Sequence, residues 1–256
     1  MLYKYFSNTS DYAFKNLDNG DICFTPIETL NDPLEGIGAY KYTVSKEEQE
    51  FWNHIGSDAP KYFETNFVND VRELLNFKHR IFSTAVEYDN PLLWAHYANS
   101  HKGFCVGYEE QDIIDISDCL SSMNYSEHQP SISLDDPKSF EQLLFVKSTH
   151  WNYENECRAV YTLKNENEDV QHLSAETYMS YISDPYNSNY KDKIYYLRRD
   201  LSTNYSETLC SQKFITKKCI PKSIYFGLNM SPDDCCNLIN TVNKPVPHFS
   251  QAGEVY

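Results

Sequence analysis

The sequence predicts an α+β fold in which a split or mixed central sheet is flanked by helices. Short strand-like segments and capped helices alternate irregularly along the 256 residues, which is typical of α+β folds rather than of a doubly wound parallel sheet. Neither an internal repeat nor a linker rich in Pro, Gly or Ser divides the chain, so residues 1–256 are expected to form a single domain. The hydrophobic share of 41% is ordinary for a globular protein with a sizeable core.

The first part of the chain is predicted to alternate strands with two helical regions. In order, these are a strand at 2–6, a helix from Ser10 or Asp11 to residues 19–20, a strand at 21–25, a polar loop at 31–36, a helical region from Ser45 to about residue 77, and a strand at 80–86. Asn90 and Pro91 then predict the N-cap and first residue of another helix. Gly103 is expected to end it.

The second part of the chain is predicted to contain four strands and two helices. They are a strand after Gly103, a helix at 139–147, a strand at 157–163, a strand at 222–228, a helix at 231–242 and a strand at 246–250. The helix at 231–242 begins with a Ser-Pro pair, which is a common helix start.

Charge and cysteine content limit the classes of function. The net charge of −15 excludes a globally basic surface for non-specific nucleic-acid binding, although a specific RNA or DNA substrate or a basic antitoxin remains compatible. The N-terminal residues contain no apolar signal-peptide core, and no apolar run is long enough to span a membrane. The eight cysteines form no C-x-x-C pair. A cytoplasmic protein with reduced thiols and no metal is therefore expected.

The common nucleotide and hydrolase motifs are absent from the sequence. It contains no P-loop, no G-x-G-x-x-G, no G-x-S-x-G and no H-E-x-x-H. Polar and aromatic residues are instead concentrated in four segments, at residues 2–5, 31–36, 90–104 and 151–161.

These segments, in this order, resemble a bacterial family known as domain of unknown function 2971. The matching residues are Leu2 to Tyr5, Asn31-Asp32-Pro33 with Glu35, Phe82-Ser83, Asn90 to Gly103, Trp151 to Arg158, and Ile224 to Gly227. The sequence departs from the family pattern at Cys157, where the family usually has Trp. This resemblance implies no activity.

The order of these elements is also similar to that of ADP-ribosyltransferases, including toxins of the DarT type. This second resemblance implies an ADP-ribosyltransferase-like fold and NAD as the substrate. It further implies transfer of ADP-ribose to a macromolecule, nucleic acid rather than protein, by a toxin or phage-defence effector with a cognate antitoxin or chaperone. In such enzymes a His, Arg or Tyr of the first strand, a Ser or Tyr of a central strand and a late Glu surround NAD. The matching residues here are Tyr3, Tyr5, Ser83 and Glu156.

The residues of the late E-x-E segment fit this chemistry. Cleavage of the nicotinamide–ribose bond passes through an oxocarbenium-like cation, which a fixed carboxylate stabilises. Glu156 is the predicted catalytic carboxylate and Glu154 its helper, placed on one face by strand alternation. Trp94 or Tyr97 is expected to stack on the nicotinamide ring. Cations and donors for the phosphates are predicted from Lys4, His101, Lys102 and Arg158.

Two other functions are compatible with the same residues. One is a nuclease or other hydrolase in which Asp32, Glu35, Glu154 and Glu156 gather around a divalent metal. The other is a non-catalytic binding module of a defence or toxin–antitoxin locus, in which these segments are scaffold and the aromatic helix face is packed core.

Overall fold

The computed structural model describes residues 1–40, 50, 53–54, 68, 71–72, 75–76, 78–132, 138–163, 214–242 and 248–252. Most of the predicted helical region from Ser45 to about 77, and Cys210, lie outside the described residues.

Thirteen strands and five α-helices have bounds within the described part of the chain. Described residues between 50 and 78, among them Val71 and Leu75, are also helical. The strands are β1 Leu2–Phe6, β2 Asp21–Phe24, β3 Ala39–Tyr40, β4 His79–Ala85, β5 Phe104–Tyr108, β6 Cys119–Ser122, β7 Asn124–Ser126, β8 Ser131–Ile132, β9 Val146–Ser148, β10 Glu156–Thr162, β11 Ile215–Lys218, β12 Ser223–Phe226 and β13 His248–Gln251. The α-helices are α1 Asp11–Asn19, α2 Pro91–Tyr97, α3 Glu110–Ile114, α4 Lys138–Gln142 and α5 Pro232–Thr241. Three 3₁₀ helices cover Ile27–Thr29, Leu143–Phe145 and Thr149–Glu154.

The central sheet has seven strands in the spatial order β13-β12-β5-β1-β4-β10-β6. Neighbouring strands are antiparallel except β12 and β13, which are parallel. The expected mixed sheet of an α+β protein is therefore confirmed. Smaller pairs form between β2 and β11, β3 and β8, and β7 and β9.

The helix boundaries follow the capping residues of the sequence. The Ser10 side chain accepts a hydrogen bond from the Ala13 amide, and Gly20 ends α1 with a left-handed φ of 66°. Asn90 caps α2 just before Pro91, and Ser231 caps α5 in the same way. A polar cap oxygen satisfies amides that the first helical turn leaves without a partner.

The helix predicted at 139–147 is shorter than expected. The α-helix ends at Gln142, a 3₁₀ turn follows, and the chain becomes extended in β9. β9 pairs with β7, with Lys147 opposite Tyr125. The prediction was wrong for the last residues because the pairing and ion pairs that this segment makes outweigh its local helical pattern.

The strands β1 and β4 diverge near the centre of the sheet. They pair at Tyr3 and Ala85, whereas β1 runs beside β5 from Leu2 to Phe6 and β4 runs beside β10 over its full length. One face of the sheet packs the main apolar core, which includes Phe82 and Val106. The other face packs Tyr5 and Ala85 against Trp94 of α2. Because β1 and β4 separate beyond the Tyr3–Ala85 pair, a gap between the two strands connects the two faces of the sheet.

Candidate functional site

A cavity of about 440 Å³ lies where β1 and β4 diverge. Its volume falls within the range of about 300–1,000 Å³ that is usual for small-molecule sites. β1, α1, β2 and β4 supply most of its walls, and one wall carries Glu35, Lys147, Glu154, Glu156 and Arg158. These five residues, all at least 94% buried, are called the charge network below.

Lys147 lies at the centre of the charge network. Its Nζ is 3.2 Å from Glu35 Oε1, 2.6 Å from Glu154 Oε2 and 3.2 Å from Glu156 Oε2. The indole of Trp151 covers the ammonium, with its ring centroid 4.9 Å from Nζ. Burial alone would lower the pKa of Lys147, but the three carboxylates outweigh it and raise the pKa. The lysine is therefore a fixed cation.

Arg158 joins two of the same carboxylates from the other side. Its Nε lies 2.8 Å from Glu156 Oε1 and its Nη2 2.6 Å from Glu35 Oε2. The third donor direction is used as well, because Nη1 donates to the Leu144 carbonyl at 2.8 Å. Arg158, predicted to bind a phosphate, is thus occupied in holding carboxylates.

Glu156 is ionised at neutral pH. Burial raises its pKa, but the nearby Arg158 and Lys147 outweigh burial and lower the pKa from 4.5 to about 2. Ser83 Oγ also lies near this carboxylate and favours its charged form, although no described group meets ordinary hydrogen-bond geometry with the hydroxyl. A carboxylate with such a pKa cannot donate a proton at neutral pH, so its chemistry is electrostatic.

Both glutamates of the E-x-E segment form ion pairs with Lys147, although they do not lie in the same element. β10 begins at Glu156, and Glu154 ends the preceding 3₁₀ helix. Asn155 between them has a left-handed φ of 43°, which Asn tolerates better than most residues. Strand alternation, predicted to place both carboxylates on one face, does not apply because Glu154 precedes the strand, but the turn still directs both carboxylates to Lys147.

Tyr97, Tyr3 and Tyr5 line the cavity, and their role in binding NAD stays a prediction. The Tyr97 hydroxyl donates to Glu154 Oε1, and burial together with Glu154 raises the pKa of Tyr97. The Tyr5 hydroxyl donates to the Glu87 carbonyl at 2.9 Å. Tyr97 is therefore the aromatic residue through which α2 reaches the charge network.

Trp94 does not reach the cavity. It is 1% exposed, its Nε1 donates to the Tyr88 carbonyl at 2.7 Å, and its ring packs edge-on against Tyr5 at 5.2 Å. The structure places it in the core behind the cavity wall, which disagrees with the predicted stacking on nicotinamide. Trp94 and Tyr97 share a helix face, but Tyr88 and Tyr5 enclose Trp94, and Tyr97 is the residue that reaches Glu154 in the cavity.

His101 and Lys102 also lie away from the cavity lining. The His101 ring stacks on Trp94, with centroids 6.0 Å apart, and its carbonyl accepts from the Asn229 amide at 2.9 Å. Both residues belong to the loop that joins α2 to β5. At this cavity they are not positioned to bind the phosphates, contrary to the prediction.

Lys4 lines the cavity from the first strand. Its Nζ lies 5.4 Å from the centroid of the Phe82 ring, and within the described ranges its ammonium makes no hydrogen bond or ion pair. Burial lowers its pKa, and Glu156 and Glu154 offset this only partly.

The residues of the proposed metal site are already committed to other partners. Lys147 Nζ occupies the point between Glu35, Glu154 and Glu156, and supplies the positive charge that a divalent ion would bring. Asp32 Oδ1 accepts from the Leu34 amide at 2.9 Å in a turn. Among the described residues no group of three or more His, Cys, Asp or Glu is arranged to hold a metal ion. The predicted donor set does not fit a resident metal.

The sequence does not predict two members of the charge network as parts of an ionic site. Lys147 lies in the segment predicted to be helical, and Glu35 is a candidate only for the metal site. A single lysine in the apolar run LLFVKS was the one available signal, because a buried lysine requires a partner.

Residues 93–159 match the family model described as "Protein of unknown function (DUF2971)". The predicted resemblance is confirmed over these residues. The DUF2971 segment includes Tyr97, Lys147, Glu154, Glu156 and Arg158, so it carries most of the charge network. No curated protein and no solved structure matches the chain.

The described part of the chain also shows the character of its helices and the state of its cysteines. None of its helices has both the length and the apolar character needed to cross a membrane. Seven of the cysteines are described, and all seven are free thiols.

Proposed function

We propose that the chain binds NAD in the cavity, cleaves the nicotinamide–ribose bond and transfers ADP-ribose to a macromolecule. The observation that carries this proposal is an ionised Glu156, held rigidly on the wall of a cavity large enough for a small-molecule ligand. The opening between β1 and β4 supports an ADP-ribosyltransferase-like arrangement.

The charge balance of the wall favours a reaction that develops positive charge. The network contains three carboxylates, on Glu35, Glu154 and Glu156, against two cations, on Lys147 and Arg158. One negative charge is therefore in excess, in surroundings shielded from water. An oxocarbenium-like ribosyl cation placed against it is stabilised as the bond breaks.

Four of the five network residues, together with Tyr97, have a role in this proposal. Glu156 faces the ribosyl cation. Glu154 and the Tyr97 hydroxyl orient the attacking group of the acceptor. Lys147 and Arg158 are positioning residues, because their charged groups hold the carboxylates in place.

The acceptor and biological setting follow from the same proposal. Transfer to a nucleic acid is favoured over protein, in a toxin or phage-defence effector that acts in the cytoplasm with an antitoxin or chaperone partner. The net charge of −15 requires that such a nucleic acid be recognised at a specific local site, since a global attraction is absent.

A second candidate is a non-catalytic module that binds a nucleotide. The specific observation in its favour is that each carboxylate of the network is within ion-pair distance of Lys147 or Arg158. A wall of this kind can position a ligand without reacting with it.

The test is release of labelled nicotinamide from NAD by the full chain, with and without cell nucleic acid. Glu156→Gln keeps the side-chain shape and removes the charge, so the rate should fall by about 10² or more. Glu141→Gln, on an exposed side chain paired with Lys78 at 3.8 Å, is the matched control and should keep the rate.

Two outcomes would contradict the transferase. One is a folded Glu156→Gln protein that releases nicotinamide at the full rate. The other is a wild-type chain that binds nucleotides but releases no nicotinamide, which would select the binding module. Circular dichroism on the same samples establishes that each variant is folded.

A further inference from the structure

Lys4 differs from the other two cations on the cavity wall. Lys147 and Arg158 each contact two or more carboxylates. The Lys4 ammonium makes no ion pair or hydrogen bond within the described residues, and the Phe82 ring is the partner it does contact. Lys4 is half-buried, no described carboxylate contacts it, and the more distant charges of Glu156 and Glu154 do not offset its burial. Such a lysine is not expected to stabilise the fold, so its presence needs another explanation.

Lys4 and the charge network lie on opposite faces of the sheet. Glu156 pairs with Ala85, which pairs with Tyr3, so these three side chains share one face. Lys4 alternates with Tyr3 and therefore belongs to the other face, beside Phe82. Lys4 and the charge network nevertheless line the same cavity, because β1 and β4 separate beyond Tyr3 and Ala85.

The walls around Lys4 are mainly apolar. Phe6, Leu17, Ile22, Phe82 and Tyr108 all line the cavity and all belong to the main apolar core or pack against it. An anion in these surroundings would interact strongly with the ammonium, because little water screens the pair. The excess negative charge of the network would repel the same anion and direct it to the Lys4 end.

We propose that Lys4 is the anion subsite of the cavity and that the ligand carries a phosphate group, which pairs with the Lys4 ammonium. The opposite end of the ligand then faces Glu156. The cavity thus has a fixed polarity, with the phosphate on the core face of the sheet and the reacting or neutral part on the network face. This deepens the proposed function, in which the phosphates of NAD would be the anion, but it requires binding alone.

The first measurement compares stability. Lys4→Met keeps the length and apolar stem of the side chain and removes the charge. Because the enclosed charge disfavours the folded state, the melting temperature of the ligand-free variant should be equal to or higher than that of the wild type. Lys222→Met is the control, since Lys222 pairs with Asp112 on the surface at 2.8 Å and does not line the cavity.

The second measurement compares affinities by calorimetry with ADP, AMP, adenosine and inorganic phosphate. The wild type should bind ADP at least about tenfold more tightly than adenosine, by analogy with other charge-assisted contacts. Lys4→Met should bind the two alike, Lys4→Arg should keep part of the preference, and Lys222→Met should keep all of it. Inorganic phosphate shows whether the group is recognised without the nucleoside.

Several results would overturn the subsite. They are equal affinities for ADP and adenosine in the wild type, an unchanged preference in Lys4→Met, failure of all four ligands to bind, or a melting temperature of Lys4→Met well below that of the control. A Lys4-dependent preference for ADP, combined with no release of nicotinamide from NAD, would leave the subsite standing and reject the transferase.

Discussion

At the scale of single residues, Lys147 determines whether three buried carboxylates can coexist. It is the one contact that Glu35, Glu154 and Glu156 share within the described part of the chain. Removing one partner of a buried ion pair leaves a charge in surroundings that solvate it poorly, which typically costs about 3–5 kcal/mol. Lys147 is therefore expected to be needed for folding as well as for the site.

Lys147→Met should lower the free energy of unfolding at pH 7 by about 3–5 kcal/mol, measured by urea unfolding. Adding Glu154→Gln should recover part of this loss, because the double variant has one fewer unpaired carboxylate. Lys78→Met is the control, since its pair with Glu141 is exposed and should contribute at most about 1 kcal/mol. Equal losses of unfolding free energy in Lys147→Met and Lys78→Met would show that the network contributes no more than a surface pair.

The sequence could predict the part of the charge network that lies within residues 154–158, but not Lys147 or Glu35. Glu154, Glu156 and Arg158 occur within five residues of one another, and their proximity follows from local chain geometry. Lys147 and Glu35 are joined to them by tertiary contacts, which no spacing within the sequence encodes. The phosphate-binding role predicted for Arg158 conflicts with the structure for the same reason, since its two carboxylate partners at Glu35 and Glu156 could not be recognised together.

At the scale of elements, the loop between α2 and β5 packs against neighbouring parts of the fold. Asn99, Ser100 and His101 have φ values of 48°, 55° and 66°, a conformation that non-glycine residues rarely adopt in succession. A Cβ on Gly103 would lie 2.0 Å from the Phe6 carbonyl oxygen. The sequence predicted the helix and its cap, but periodicity cannot tell whether a ligand or another loop covers a helix face.

The late Ile-Tyr-Phe-Gly segment gives a test of this packing. A Cβ on Gly227 would lie 2.1 Å from the His101 carbonyl oxygen, and backbone cannot move aside as a side-chain tip can. Gly227→Ala should lower the free energy of unfolding by about 1–3 kcal/mol, read as a lower melting temperature. Leu228→Ala, next in the chain and 55% exposed, is the control. A melting temperature unchanged in Gly227→Ala would show that the two loops are not in contact.

At the scale of the whole molecule, the sheet joins distant parts of the chain. β1 lies at its centre, between β5 and β4, while β12 and β13 from the end of the chain form one edge. The single domain predicted for residues 1–256 stays a prediction, but strands that span residues 2 to 251 hydrogen-bond within one sheet. The charge network connects Glu35 and Lys147 of β9 to β10 of this sheet. Loss of the charge network should therefore lower the stability of the whole sheet.

Two buried groups, His79 and Glu156, make stability depend on pH in neighbouring windows. Burial lowers the pKa of His79 from 6.5 to about 4, so the unfolded chain takes up a proton that the folded chain does not, and stability falls as the pH drops from 6.5 to 4. For Glu156 the folded pKa of about 2 lies below the ordinary 4.5. Its contribution is fully present above pH 4.5 and is lost as the pH falls towards 2.

The Glu156 window predicts an acid response of the whole molecule. A pKa difference from 4.5 to about 2 corresponds to a stabilisation on the order of 3 kcal/mol, so urea unfolding of the wild type should weaken steeply between pH 4.5 and 3. Glu156→Gln cannot ionise at this position, and its stability should fall less over the same interval. Far-ultraviolet circular dichroism and tryptophan fluorescence should report the same midpoint at each pH, because one sheet links the network to both ends of the described chain. Parallel pH curves for the two proteins would show that Glu156 is not held by the network, and separate midpoints would show that the sheet does not unfold as one unit.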